Sequence, residues 1–334
     1  MDGTQNKKKR RLSYLIRAAV SAGLIAFLVL RIDIGTLFET LKSADLRLFF
    51  TAIFFSFLKQ ATEFSKLFLL LRAKGFNVPF WHVAKIMITS TFLGTFAPTS
   101  LGTEVFRAYG FSKYTNQSAH SVSAVAVNRF LSLFALLFLA TVSSVFEKEY
   151  AANIGALWLA VIFLLPLLLI GMGFVKGIQQ FFQKYIFPKV PIVHKTVHWL
   201  TEAGKSFYDY RKQKLLILTV FLLSIVFQVA RIIVCYLLAL AIGVQLPIGF
   251  FFIFIPLVLL FTMIPLSVGG IGMREGGVVY FLGKAGISGA VAFSVSILWF
   301  IAAITSSLPG LYFYLSEGIG LKKKDNIQTE KDGF

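Results

Sequence analysis

Apolar residues along this chain run in long blocks rather than in alternation. Blocks of spanning length occur at Leu12–Leu30, Leu46–Leu71, Ala119–Phe146, Ala151–Val175, Leu215–Ile242 and Ile287–Leu315. A helix crosses the hydrocarbon core of a bilayer with about 20 residues. Two shorter runs, Trp81–Ala97 and Ile248–Ile264, end in Pro and Gly. Each is followed by a Gly-containing turn and a short, more polar stretch, Thr103–Lys113 and Gly272–Gly286. Proline cannot continue a helix and glycine permits a tight turn, so each short run predicts a hairpin that returns to the side it entered. The pattern predicts an all-α polytopic membrane protein with about six spanning helices and two re-entrant Pro/Gly hairpins.

Composition agrees with lipid as the solvent. Hydrophobic residues make up 57% of the chain and charged residues 14%, against about 25% charged in a soluble domain. The net charge of +18 would suit nucleic-acid binding, but the basic residues lie between the apolar blocks, which is the pattern of membrane orientation. With both short runs as hairpins, Lys7–Arg11, Arg72, Lys74, Lys113 and Lys322–Lys324 fall on the cytoplasmic side. So does the linker 176–214, where eight basic residues face only Glu202 and Asp209. The acidic loop Glu147–Lys148–Glu149 then faces out. If the short runs spanned instead, the basic linker would face out, against the positive-inside rule. The expected organisation is a basic cytoplasmic N-terminus 1–11, a transmembrane domain 12–315 and a cytoplasmic tail 316–334, in the inner (cytoplasmic) cell membrane. Leu12–Leu30 is read as a retained first helix, because a signal peptide has a shorter apolar core and a small-residue cleavage site. The linker resembles an interfacial amphipathic helix on the anionic leaflet.

The chain repeats itself. Pro98, Ser100, Gly102 and Arg107 keep the spacing of Pro265, Ser267, Gly269 and Arg274, and Gln60, Gly75 and Pro79 match Gln228, Gly243 and Pro247 in order, with one residue of slippage. Low complexity supplies Leu and Phe matches, but not Pro, Gly, Gln and Arg. Repeat A runs from about 44 to 146 and repeat B from about 212 to 315. Three crossings separate their starts, so the second copy is inverted. Broken helices from two inverted repeats meet near the midplane in many transporters.

The hairpins carry the candidate chemistry. Ser100 and Ser267 offer hydroxyls to freed backbone or a ligand. The glycines Gly102, Gly269 and Gly270 precede short helices whose N-termini favour anions. Arg107 and Arg274 match phosphate geometry. The alternative is structural: the two arginines pair with Glu104 and Glu275 and hold the hairpins in shape. Lys59, Glu63 and Lys66 are spaced to neutralise one another on one helix face. Asn128, Arg129, Gln228 and Arg231 have no local acid and need a partner helix or a cavity, which makes Arg129 and Arg231 the next lipid- or anion-binding candidates. A single cysteine, Cys235, excludes an intramolecular disulfide. His194 and His198 lack further ligands for zinc. The run Gly269–Gly277 does not have dinucleotide spacing, and no Walker A, H-E-x-x-H or G-x-S-x-G string occurs. No metal, cofactor or catalytic residue is expected.

The motif Pro265-Leu-Ser-Val-Gly-Gly-Ile-Gly-Met-Arg-Glu-Gly resembles the signature of the flippase-like membrane domain of lysylphosphatidylglycerol synthases. The likeness extends to the early helices, the turn at Pro98 and the Asn128–Arg129 region. The first motif departs from the family's Gly-Gly-Asp, since Gly102-Thr103-Glu104 stands there. The acid is kept in type, but the second glycine, which permits a close backbone approach, is lost. The resemblance implies lipid handling: in multiple peptide resistance factors this domain moves lysylated lipid between leaflets, and a separate soluble domain makes that lipid. This chain ends about twenty residues after its last apolar block, so no lysyltransferase activity is expected.

Three functions follow as expectations. The first is binding and translocation of a phospholipid or polyprenyl/glycolipid headgroup between leaflets, with membrane lipids as partners and no nucleic acid. The second is a non-catalytic accessory subunit that docks a lipid- or glycan-modifying enzyme through the basic linker. The third is a membrane-embedded lipid transferase using Glu104 or Glu275 as base. The sequence leaves the lipid, the energy source and the oligomeric state open.

Overall fold

Helices of matched length build the two halves of the protein. The structure is a computed structural model that describes residues 34–95, 97, 102–147, 206, 208–263 and 270–317. After the short α1 (Ile34–Lys42), the first half consists of α2 (Leu46–Ala73), α3 (Phe80–Thr95), α4 (Gly102–Thr115) and α5 (Ser118–Phe146). A 3₁₀ turn at Tyr210–Lys212 leads into the second half: α6 (Lys214–Ala241), α7 (Ile248–Met263), α8 (Met273–Lys284), α9 (Gly289–Ser307) and α10 (Pro309–Glu317). Helices α2 and α6 each have 28 residues, and α3 and α7 each have 16. The described residues contain ten α-helices and no strand.

The last apolar block, expected as one helix, is two. Leu308 is the C-cap of α9, and Pro309, which has no N–H to give the preceding turn, opens α10. Together α9 and α10 run as far as the 29-residue α5. The apolar blocks Leu12–Leu30 and Ala151–Val175, residues 176–205 of the linker and the tail 318–334 lie outside the described residues.

The turn chemistry repeats as the sequence implied. Gly75 and Gly243 both sit in the left-handed region, at φ 81° and 82°, where a Cβ is strained. Gly75 N–H donates to Arg72 O and Phe76 N–H to Leu71 O; Gly243 N–H donates to Leu240 O and Val244 N–H to Ala239 O. Both are helix-ending motifs that satisfy the last carbonyls.

The central element is the antiparallel pair α2 and α6, which share the most extensive helix–helix contact. Asp45 N–H, at the start of α2, donates to Ala241 O at the end of α6 (2.7 Å). At the other end, the Tyr210 hydroxyl donates to Leu70 O (2.8 Å) and Gln213 Nε2 to Ala73 O (3.3 Å). Burial raises the Tyr210 phenol above its ordinary range, so it stays a donor. Helices in equivalent places of the two sequence repeats thus run in opposite directions. The remaining contacts follow the same two-fold plan: α3 packs on α4 as α7 packs on α8, and α3 lies against α9 and α10 as α7 lies against α5.

Two apolar cores are present, one mainly in each half, and α2 and α6 contribute to both. One is built around Leu67, Leu71, Met87, Phe111 and Val125, the other around Leu238, Phe254, Val258, Leu282 and Val295. Close backbone approach binds the halves: a Cβ on Gly310 of α10 would overlap the backbone at Ile88 of α3, the small-residue packing usual between membrane helices. The outward faces are apolar. Leu215, Leu218, Leu222 and Val226 form an exposed stripe along α6. Helices α5, α6 and α9 are long and apolar enough to cross a membrane.

Candidate functional site: a charged cavity between the two halves

A cavity of about 280 Å³ lies between the two cores. Its lining includes Lys59, Gln60 and Glu63 from α2, Thr91 and Thr95 from α3, Thr103, Glu104 and Arg107 from α4, Asn128, Arg129 and Ser132 from α5, Gln228 and Arg231 from α6, and Ser306 from α9. Lys59, Arg129 and Arg231 sit near the middle of their helices, where an ionisable group in lipid needs a partner or water.

Glu63 is the hub. Its Oε2 lies 2.6 Å from Lys66 Nζ. Its Oε1 accepts from Arg107 Nη1 (3.0 Å) and from Asn128 Nδ2 (2.9 Å). Lys66 also donates to the Ser132 hydroxyl (2.7 Å), and Arg107 Nη2 to the Thr91 hydroxyl (3.3 Å). Glu104 pairs with Arg129, 2.8 Å from Oε1 to Nη1. The structural alternative had Arg107 pairing with Glu104; the carboxylate it meets belongs to another helix, because α2 brings Glu63 beneath the N-terminal half of α4. Lys59, spaced to pair with Glu63, makes no ion pair among the described residues, since Lys66 and Arg107 occupy that carboxylate.

The matched glutamines do matched work. Gln60 Nε2 donates to Ser306 O in the second half (2.6 Å), and Gln228 Nε2 donates to Ser132 O in the first (2.7 Å). Each half reaches into the other with an amide that also lines the cavity.

The two repeat-matched arginines differ. Arg107 lines the cavity. Arg274 does not; it pairs with Glu275 and lies over Phe300, 5.0 Å from the ring centroid, beside Trp299. Glu275 also accepts from Gly272 N–H (2.6 Å) at the start of α8, so it serves as the cap of that helix. Gly102 opens α4, and Gly270 takes φ 81°. Pro98, Ser100, Pro265, Ser267 and Gly269 lie outside the described residues. Among the site residues expected from sequence, the cavity brings together Glu104, Arg107, Arg129 and Arg231, and leaves Arg274 and Glu275 apart. Lys59, Gln60, Glu63, Asn128 and Gln228 join them. The repeat match at Gln60 and Gln228 was the signal for this second set.

The family model for the lysylphosphatidylglycerol synthase TM region matches residues 14–310. The chain belongs to this family. It is therefore a membrane protein built from transmembrane helices. No curated protein matches the chain. In this member the departure at Thr103 is compensated across the hairpin. A Cβ on Gly94 of α3 would lie 2.7 Å from Thr103 Cα and overlap its side chain. In the other half the arrangement is exchanged: a Cβ on Gly270 would lie 3.2 Å from Thr262 Cβ of α7. The glycine lost from α4 stands on α3.

Proposed function

We propose that this chain binds a lipid headgroup in the charged cavity and passes it between the two leaflets of the cell membrane. One observation carries the reading: a polar cavity, lined by Lys59, Arg107, Arg129 and Arg231 against Glu63 and Glu104, lies between two apolar cores and is bounded by both halves. A site bounded by two oppositely directed halves is suited to alternate exposure. Acyl or prenyl tails stay in the bilayer while the headgroup moves. Arg107, Arg129, Arg231 and Glu104 meet the headgroup, and Arg274 with Glu275 holds the second hairpin in shape.

The proposed topology is six spanning helices, two re-entrant hairpins in an inverted repeat, and both termini cytoplasmic. Element lengths support it. At 28 residues, α2 and α6 reach about 42 Å, whereas the 16 residues of α3 and α7 reach about 24 Å, short of a hydrocarbon core of about 30 Å. The proposal assigns transport and no covalent chemistry: both cavity carboxylates are held by cations, which leaves neither free as a base.

The test is movement of lipid carrying a fluorescent headgroup in reconstituted vesicles, read by quenching of the outer leaflet. Wild-type protein should expose inner-leaflet label to quencher, and Arg231→Gln should slow it severalfold. Quenching that stops at the level of protein-free vesicles would overturn the proposal.

A further inference from the structure

Five cations stand against two carboxylates at the cavity, an excess of three positive charges, and two of the cations make no ion pair among the described residues. Glu63 is shared by Lys66 and Arg107, and Glu104 is taken by Arg129. Lys59 and Arg231 also line the cavity, and neither makes an ion pair with a carboxylate among the described residues. They stand in mid-helix on the two members of the central antiparallel pair, one from each half. The Arg231 guanidinium lies over the Phe227 ring, 4.6 Å from its centroid, so its face is covered and its N–H edge remains for a ligand. Two further donors are buried and unpartnered among the described residues, Arg107 Nε and Arg129 Nε. Unmatched cations at this depth are costly unless an anion joins them.

We infer that the cavity seats a phosphate group bearing two negative charges, a phosphomonoester or a terminal diphosphate, between Lys59 and Arg231. This rests on the headgroup reading of the site and adds the charge of the ligand. A phosphodiester, with one charge, leaves two of the three excess positive charges unmatched; a dianion leaves one. The arginine fork takes two phosphate oxygens and the lysine acts as a point charge. Arg107 and Arg129 line the same cavity from the first half.

The test is equilibrium binding by native mass spectrometry in neutral detergent at mildly alkaline pH, where phosphatidic acid carries two charges and phosphatidylglycerol one. Acyl chains are identical. Wild-type protein should prefer phosphatidic acid by about tenfold or more, the equivalent of about 1.4 kcal/mol. Lys59→Gln and Arg231→Gln should each shrink that preference severalfold. Equal binding of the two lipids by the wild type, which needs no variant, would overturn the inference, as would an unchanged preference in both variants. Inorganic phosphate in millimolar excess should displace phosphatidic acid only weakly; full displacement would assign the seat to free phosphate and overturn the lipid source. No transport is read here. A protein that prefers phosphatidic acid but fails to move lipid refutes the proposed function alone. One that moves lipid without preferring the dianion refutes this inference alone.

Discussion

Replacing Gly94 with alanine should destabilise the protein, and replacing Thr103 with glycine in the same chain should restore part of what is lost. The added methyl would overlap the Thr103 side chain, 2.7 Å from its Cβ, which glycine removes, and would also lie 2.7 Å from Cα, which glycine keeps. Neither Cα nor Cβ can swing away as the end of a long side chain can, so α3 and α4 must separate. Overpacking of this kind costs about 1–3 kcal/mol. Thr103→Gly alone should cost about 0.3 kcal/mol, the difference in helix propensity between threonine and glycine. If the two positions are direct packing partners, the double variant should be more stable than the sum of the single losses by about 1–2 kcal/mol, the scale of coupling between touching residues. The assay is thermal unfolding of the purified protein in detergent, with all four proteins measured side by side. Strict additivity would refute the account of how this chain tolerates threonine where its family has glycine.

Three further outcomes follow from the cavity. Glu63→Gln should be strongly destabilising, by about 3–5 kcal/mol, because it leaves Lys66 and Arg107 buried without their carboxylate; a midpoint within a degree of wild type would contradict the hub role. Gln60→Leu and Gln228→Leu should each lower stability by about 0.6–1.7 kcal/mol, the range for interhelical hydrogen bonds in membranes, and by similar amounts, since the bonds are equivalent; a large loss from only one would show that the halves are not matched there. Glu275→Gln should impair folding yield more than lipid affinity, because its partners are Arg274 and the α8 N-terminus, which binding measured on the folded fraction would separate.

The plan of the fold was legible wherever a residue type is forced by backbone geometry. Gly75 and Gly243 mark left-handed helix ends, so their match signalled a structural repeat. Gln60 and Gln228 were legible for another reason: an amide in an apolar block must find a partner, and equivalent amides found equivalent carbonyls. The charge pairing was much less legible. Arg107 and Arg274 share their spacing but not their partners: Arg107 meets Glu63 from a distant segment, whereas Arg274 pairs with its neighbour Glu275, as the local alternative had it, and lies over Phe300. Local spacing suggested that Lys59 would share Glu63 with Lys66. It could not show that Arg107, 44 residues away, claims the same carboxylate. The consequence, two cations left for a ligand, is a property of the assembled cavity and of no single segment.

The central claim is that a hydrophilic, cation-rich cavity sits between the halves at membrane depth. It is tested most directly by the rate at which charged thiol reagents reach Thr95→Cys, a lining position, in a chain whose buried Cys235 is replaced by serine. A negatively charged methanethiosulfonate should label it, and faster than the positively charged analogue, while a cysteine at the outward-facing Leu222 stays unlabelled by either. No reaction at position 95, or faster reaction with the cationic reagent, would contradict the account.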